Sequence, residues 1–265
     1  MSSHRLDTCA LCPRLCRPAC PVASGSAREA AVPAVIAGVL FDWQRGLGDA
    51  ALAAKAATLC VDCGACQAHC HLDRPLPAAL RVARVELIPA PPYEALRPIE
   101  GRGRIVAIEA DERPFAKALS RRLAEPIRRW PTADRLGVAA IDYPVFENRL
   151  SELRATLADC EVVVADGAVA EVLKRAGVPF RWLHEVVPEL AAPTGSCRTA
   201  GSKPAACCGA AGPLAAHHPE DAVRVGKHWL ARTEERRVND ARCRNHLVAI
   251  DRTVRDALDL LLEST

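Results

Sequence analysis

The sequence predicts an α + α/β chain, with a helical N-terminal domain over residues 1–88, a proline-rich linker over 89–102 and a parallel α/β domain over 103–265. Three observations carry that expectation. Eight of the thirteen cysteines lie before residue 71, in two tight groups separated by stretches rich in Ala, Leu, Val and Ile. Pro89, Pro91, Pro92 and Pro98 then form a run that no helix can cross. Beyond it, short runs rich in valine and isoleucine alternate with amphipathic stretches, the order of elements that builds a parallel sheet covered by helices.

Taken in order, residues 32–43 and 49–58 read as two short helices joined by a turn at Gly46 and Gly48. Pro33 suits a first helical turn, where the missing N–H has no partner to lose, and Asp49 suits the N-cap of the second helix. A further helix is expected over 77–87. Past the linker, strands are expected at 104–109, 136–142, 161–166 and 178–183, and helices at 114–129, 147–158 and 168–176. Gly177 fits a helix C-terminal glycine leading into the last of these strands. Arg121-Arg122 and Arg128-Arg129 read as a solvated helix face. No Gly-x-Gly-x-x-Gly or P-loop sequence occurs, so this half carries no usual nucleotide-binding signature.

Composition narrows the function. A chain of 265 residues buries enough apolar surface to fold without disulfide staples, so the cysteines serve local chemistry. The polar start from Met1 to Asp7 has no apolar h-region, and a reducing, cytoplasmic compartment is expected, in which clustered thiols bind metal. No uncharged apolar run reaches the length of a membrane span, because residues 30–40 are closed by Asp42 and Arg45. Peripheral association with a membrane is expected only through a partner. A net charge of +3 and an aromatic share of 4% leave little for nucleic acid to bind.

The cysteine groups are Cys9-x2-Cys12-x3-Cys16-x3-Cys20-Pro21 and Cys60-x2-Cys63-x2-Cys66-x3-Cys70. Three closely spaced thiolates wrap three corners of a cubane, while the fourth, a turn further on, reaches the neighbouring cubane. Two 4Fe-4S clusters are therefore expected, one on Cys9, Cys12, Cys16 and Cys70 and the other on Cys60, Cys63, Cys66 and Cys20. Structural zinc is the competing reading, but zinc sites favour paired Cys-x2-Cys and do not need a third cysteine so close by. His69 and His71 flank Cys70 and are expected to tune a cluster without ligating it, since the thiolates already fill the corners. His217, His218 and His228 lie on a polar helical stretch with no assigned role.

The run from Cys20-Pro21-Val22-Ala23 to Cys60-Val61-Asp62-Cys63-Gly64-Ala65-Cys66 resembles the helical two-cluster ferredoxin domain of heterodisulfide reductase C-type subunits. It is also similar to the iron–sulfur subunits of anaerobic glycerol-3-phosphate, glycolate and lactate dehydrogenases, over residues 5 to about 88. Ala206-Cys207-Cys208-Gly209-Ala210-Ala211-Gly212 resembles the Cys-Cys-Gly signature of the cysteine-rich domains that follow in those subunits. Cys197 resembles the upstream cysteine loop, and Cys243 with His246 the downstream Cys-x2-Cys, the histidine replacing its last cysteine. The resemblance implies a third iron–sulfur cluster or a zinc ion on Cys197, Cys207, Cys208, Cys243 and His246, with Gly209 letting backbone approach it; buried, unligated cysteines are the alternative. Only Cys160 stands in the preceding α/β half, which reads as a degenerate repeat kept for its fold.

An electron relay follows as the expected function. Electrons enter one cluster, hop to the second and pass to or from a flavoprotein dehydrogenase or a membrane quinone-linked subunit. No flavin or nicotinamide fingerprint is present, so substrate chemistry belongs to the partner and no catalytic residue is singled out. Two other readings stay open: a disulfide- or quinone-reducing enzyme working at Cys207 and Cys208, and a non-redox assembly protein with structural clusters.

Overall fold

The structure is a computed structural model that describes residues 6–89, 96–109, 111–131, 147–190, 207–210, 212–234, 236–238 and 241–264. The strand expected over 136–142 lies outside these residues, as does Cys197.

The N-terminal part is helical: α1 (Asp7–Ala10), α2 (Pro21–Ser26), α3 (Pro33–Gln44), α4 (Ala50–Thr58), α5 (Ala65–Ala68) and α6 (Leu76–Leu87). Proline opens α2 and α3, where its fixed φ favours the helix and its missing N–H costs nothing. Asp49 caps α4 as expected, its carboxylate accepting from Leu52 N at 2.7 Å. Ile36, Ala37 and Leu40 of α3, Ala53, Ala56 and Ala57 of α4, and Leu76, Leu80 and Ala83 of α6 form one core. Alanines on α4 let the flanking helices come close.

After the linker come β1 (Ile105–Ile108), α7 (Phe115–Leu123), β2 (Arg128–Trp130), α8 (Glu147–Leu157), β3 (Glu161–Val164), α9 (Gly167–Ala176), β4 (Arg181–Trp182) and α10 (Leu183–Val186). The strands pair in parallel in the order β2-β1-β3-β4, with Ile105 opposite Glu161 and Ile108 opposite Trp130. Both faces are covered, as parallel sheets require. Val106, Ile108, Val162 and Val164 face α8 and α9, while Ile105, Ala107 and Val163 face α7.

One expectation needs correcting here. The helix read as 114–129 ends at Leu123, where Ala124 takes a left-handed φ of 55°. Pro126 cannot continue a helix, and the chain re-enters the sheet as β2. Arg128 and Arg129 thus lie on an edge strand. Arg128 Nη2 donates to Cys160 Sγ at 3.1 Å, and Arg129 pairs with the buried carboxylate of Glu109. The strand expected over 178–183 keeps only Arg181–Trp182. Val178 instead packs in the core after Gly177, whose φ of +67° ends α9 as expected.

The C-terminal part holds α11 (Leu214–His217), α12 (Pro219–Arg232), β5 (Arg237–Val238), α13 (Ala241–Val248), β6 (Arg255–Asp256) and α14 (Ala257–Glu263), with β5 and β6 pairing in parallel. It serves both halves of the molecule. Ala257, Leu258 and Leu261 of α14 complete the α7 face of the sheet. Cys207, Leu214, Ala222 and Val225 belong instead to the core of α3, α4 and α6. α12 lies against α2 so tightly that a Cβ on Gly25 would sit 2.8 Å from Val225 Cα. Arg28 pairs with buried Asp221 across the same contact. Thr58 Oγ1 donates to Lys55 O, so its 2.9 Å contact with His218 Nε2 has the imidazole as donor. Among the described residues no helix is long and apolar enough to cross a membrane.

Candidate metal centre

Local backbone geometry gathers the thiols. Cys20 is extended because proline follows it, and its sulfur accepts from Ala23 N at 3.5 Å, so the side chain is held at the entry to α2. In the second group Asp62 and Gly64 take φ of 57° and 74°, curling the chain so that Cys60, Cys63 and Cys66 turn about one point. Asp62 N donates to Cys60 Sγ at 3.2 Å. The Asp62 carboxylate, almost fully buried, is held by Arg81 Nε at 2.6 Å.

Two cavities result. The first is lined by Cys9, Cys12, Cys16 and Cys70, and the second by Cys20, Cys60 and Cys63. Cys66 and Leu76 line both, so the cavities are neighbours separated by little more than those side chains. The first opens to solvent past Leu15, Leu72 and His71, all exposed; His69 is exposed as well. Val22, Ile36, Leu59 and Leu80, all buried, line the second.

The thiols feel one another across these spaces. Burial, then the neighbouring Cys70, Cys16 and Cys12, push Cys9 up to about 11. Burial pushes Cys20 up to about 11 against the Ala23 N–H, with Cys60 adding to the rise. Burial also raises Cys16, Cys60 and Cys66, and Cys66 feels Cys60, Cys16 and Cys20. Thiols so raised become thiolates only when a positive centre takes the place of their protons. None of the described cysteines is in a disulfide. Nor do any three His, Cys, Asp or Glu side chains among the described residues converge closely enough for a single metal ion. Thiols spread around a cavity, one to a corner, suit an iron–sulfur cubane better than the tight tetrahedron of zinc.

Two arginines near the cavities were not legible as site residues. Arg84 of α6 is fully buried; its Nε donates to Ala57 O and its Nη2 to Cys60 O, both at 2.9 Å. Its Nη1 is buried with no hydrogen-bond partner. The signal was there, since Leu76, Leu80 and Arg84 share one face of α6 at a spacing of four, and a cation on an apolar stripe is unusual. Arg74, half-buried, lines the first cavity.

Of the residues expected at a third centre, Cys208 and Cys243 come together and His246 reaches the Cys208 backbone. Cys197 lies outside the described residues. Cys207 packs in the core of α3, α4 and α6, whereas Cys208 and Cys243 share another apolar cluster with Trp229 and Leu247. His246 Nε2 donates to Ala222 O at 3.1 Å, and burial lowers its pKa. Gly209 gives its open face to α12, because a Cβ there would meet Ala222 O at 2.9 Å. Gly212 presses on the cluster loop, a Cβ there falling 3.0 Å from Cys60 O. Cys160 lies apart, against the α8 and α9 side of the sheet.

Residues 5–84 match the family model of the 4Fe-4S dicluster domain. Searches of curated proteins and of solved structures gave no match. The chain is thus an iron–sulfur protein whose N-terminal part has the character of a 4Fe-4S electron-transfer domain.

Proposed function

We propose that this iron–sulfur protein relays electrons through two 4Fe-4S clusters, one held by Cys9, Cys12, Cys16 and Cys70 and the other by Cys20, Cys60, Cys63 and Cys66. It does so between a flavoprotein dehydrogenase and a quinone-linked or other redox acceptor. The observation that supports this reading most is the pair of adjoining cysteine-lined cavities inside the segment that matches the dicluster model.

When bound, such clusters supply one-electron transfer without bond making, so the protein has to hold, insulate and expose them. Ala23 N–H and Asp62 N–H bond to the Cys20 and Cys60 sulfurs and favour negative charge there. Leu59, Leu80, Ile36 and Val22 keep water from the second cavity. The opening beside Leu15 and Leu72 makes the first cavity the end at which a partner exchanges electrons. Substrate chemistry belongs to that partner.

Anaerobic purification, with iron and sulfide counted per chain and EPR of the reduced protein, tests the reading. About eight iron and eight sulfide, at four of each per cubane, are expected. Half that number, or zinc in place of iron, would sink it.

A further inference from the structure

Outside the thiols, the fully buried Arg84 lies beside the Cys60 loop. A buried arginine is ordinarily paired with a carboxylate, yet among the described residues Arg84 has no ion-pair partner. The nearby carboxylate of Asp62 is already held by Arg81. Two of the guanidinium nitrogens are spent on Ala57 O and Cys60 O, which fixes the plane of the group beside the Cys60 loop. Among the described residues the third, Nη1, is buried without a hydrogen-bond partner. An unmatched cation with a spare donor, locked in a dry interior, is costly unless something negative is bound next to it.

We propose that Arg84 is a positioning and tuning residue for the centre on Cys20, Cys60, Cys63 and Cys66. Its fixed charge, held one residue's backbone away from the cavity by the bond to Cys60 O, raises that centre's reduction potential. This rests on the relay reading above. Reduction adds one electron to the cluster, and a fixed positive charge in a low dielectric favours the form that has gained it. Arg74 lines the first cavity and is half-exposed, with its buried Nε also lacking a hydrogen-bond partner among the described residues.

Potentiometric titration of the anaerobically purified protein, followed by EPR, tests this, the second centre's signal being the one that Cys60→Ala removes. In Arg84→Gln that centre should be oxidised about tenfold more at a fixed applied potential, a fall of about 59 mV for one electron. The other centre should hold its midpoint. Arg84→Lys keeps the charge and should shift the ratio less than about threefold. Unchanged midpoints in Arg84→Gln at full iron content would overturn the proposal and leave the relay standing. Equal shifts in the two variants, or loss of the second centre from both, would assign Arg84 a purely structural role and overturn it too. A wild type without iron and sulfide would fail both readings together.

Discussion

Cys70 stands far from Cys9, Cys12 and Cys16 in the chain but lines their cavity, and its charge acts on Cys9. Cys70→Ser is therefore expected to disturb the centre of the first group and leave about four iron on the Cys60 group, one cubane's worth. Loss of the Cys60-group signal with the first intact would show that ligation is not crossed. His218 makes a second residue-scale prediction. Burial, then Arg28, lower its pKa below the ordinary value of 6.5. A depressed pKa means that the unfolded chain binds the proton more readily, so the stability is present above about pH 6.5 and is lost as pH falls towards the folded value. His218→Gln, which keeps a donor for Thr58, should flatten the fall in thermal midpoint between about pH 7 and pH 5.5. A slope identical to that of the wild type would rule this out.

Helices, more than single side chains, decide how the ligand loops are held. Along the α2–α12 contact, Gly25 has no room for a Cβ because the obstacle is Val225 backbone. Gly25→Ala should destabilise the protein by about 1–3 kcal/mol through overpacking, although alanine in a helix is otherwise favoured by about 0.5–1 kcal/mol. Gly38 of α3 has nothing within 4 Å of a built Cβ, and Gly38→Ala should show only that gain. Denaturant midpoints of the two variants are the measurement, and equal effects would mean that α2 and α12 are not in firm contact. At the other end of the chain Arg113 bridges Asp111, Asp256 and Asp259, the last two forming the capping box of α14. Although burial opposes its charge, the hydrogen bonds it donates to Asp256 and Asp111 raise its pKa. Arg113→Ala, by stranding the buried Asp256 carboxylate while Arg244 still holds Asp259, should cost about 3–5 kcal/mol, read as a lower denaturant midpoint with iron content retained.

Across the whole molecule the chain closes on itself, because its last third supplies side chains to its first. Leu214 and Val225 are fully buried against the helical core, and each contributes about 1.5–3 kcal/mol of burial. A fragment ending at Ile88 would expose that face, together with the Cys60 loop that Gly212 covers. It should lose iron to a chelator faster than the full chain. Equal release rates would show that the helical part is self-sufficient.

Much of this was written in the residue order. The cysteine spacing singled out the residues that line the two cavities, proline and Asp49 marked helix starts, and alternating apolar runs announced a parallel sheet, because all three depend on neighbours within a few positions. The extent of α7 was misread because its amphipathic pattern runs on through Arg129, whereas Pro126 and sheet pairing draw those residues into β2. The part played by Cys207, Gly209 and Gly212 was equally hidden. Spacing shows that a loop is built for close approach but not which surface it approaches, and only folding set these residues against α12 and the Cys60 loop. Arg84 stands between the two cases. Its place on an apolar stripe is legible, while its unmatched charge beside Cys60 is decided by long-range packing, since pairing depends on what else the fold brings within reach.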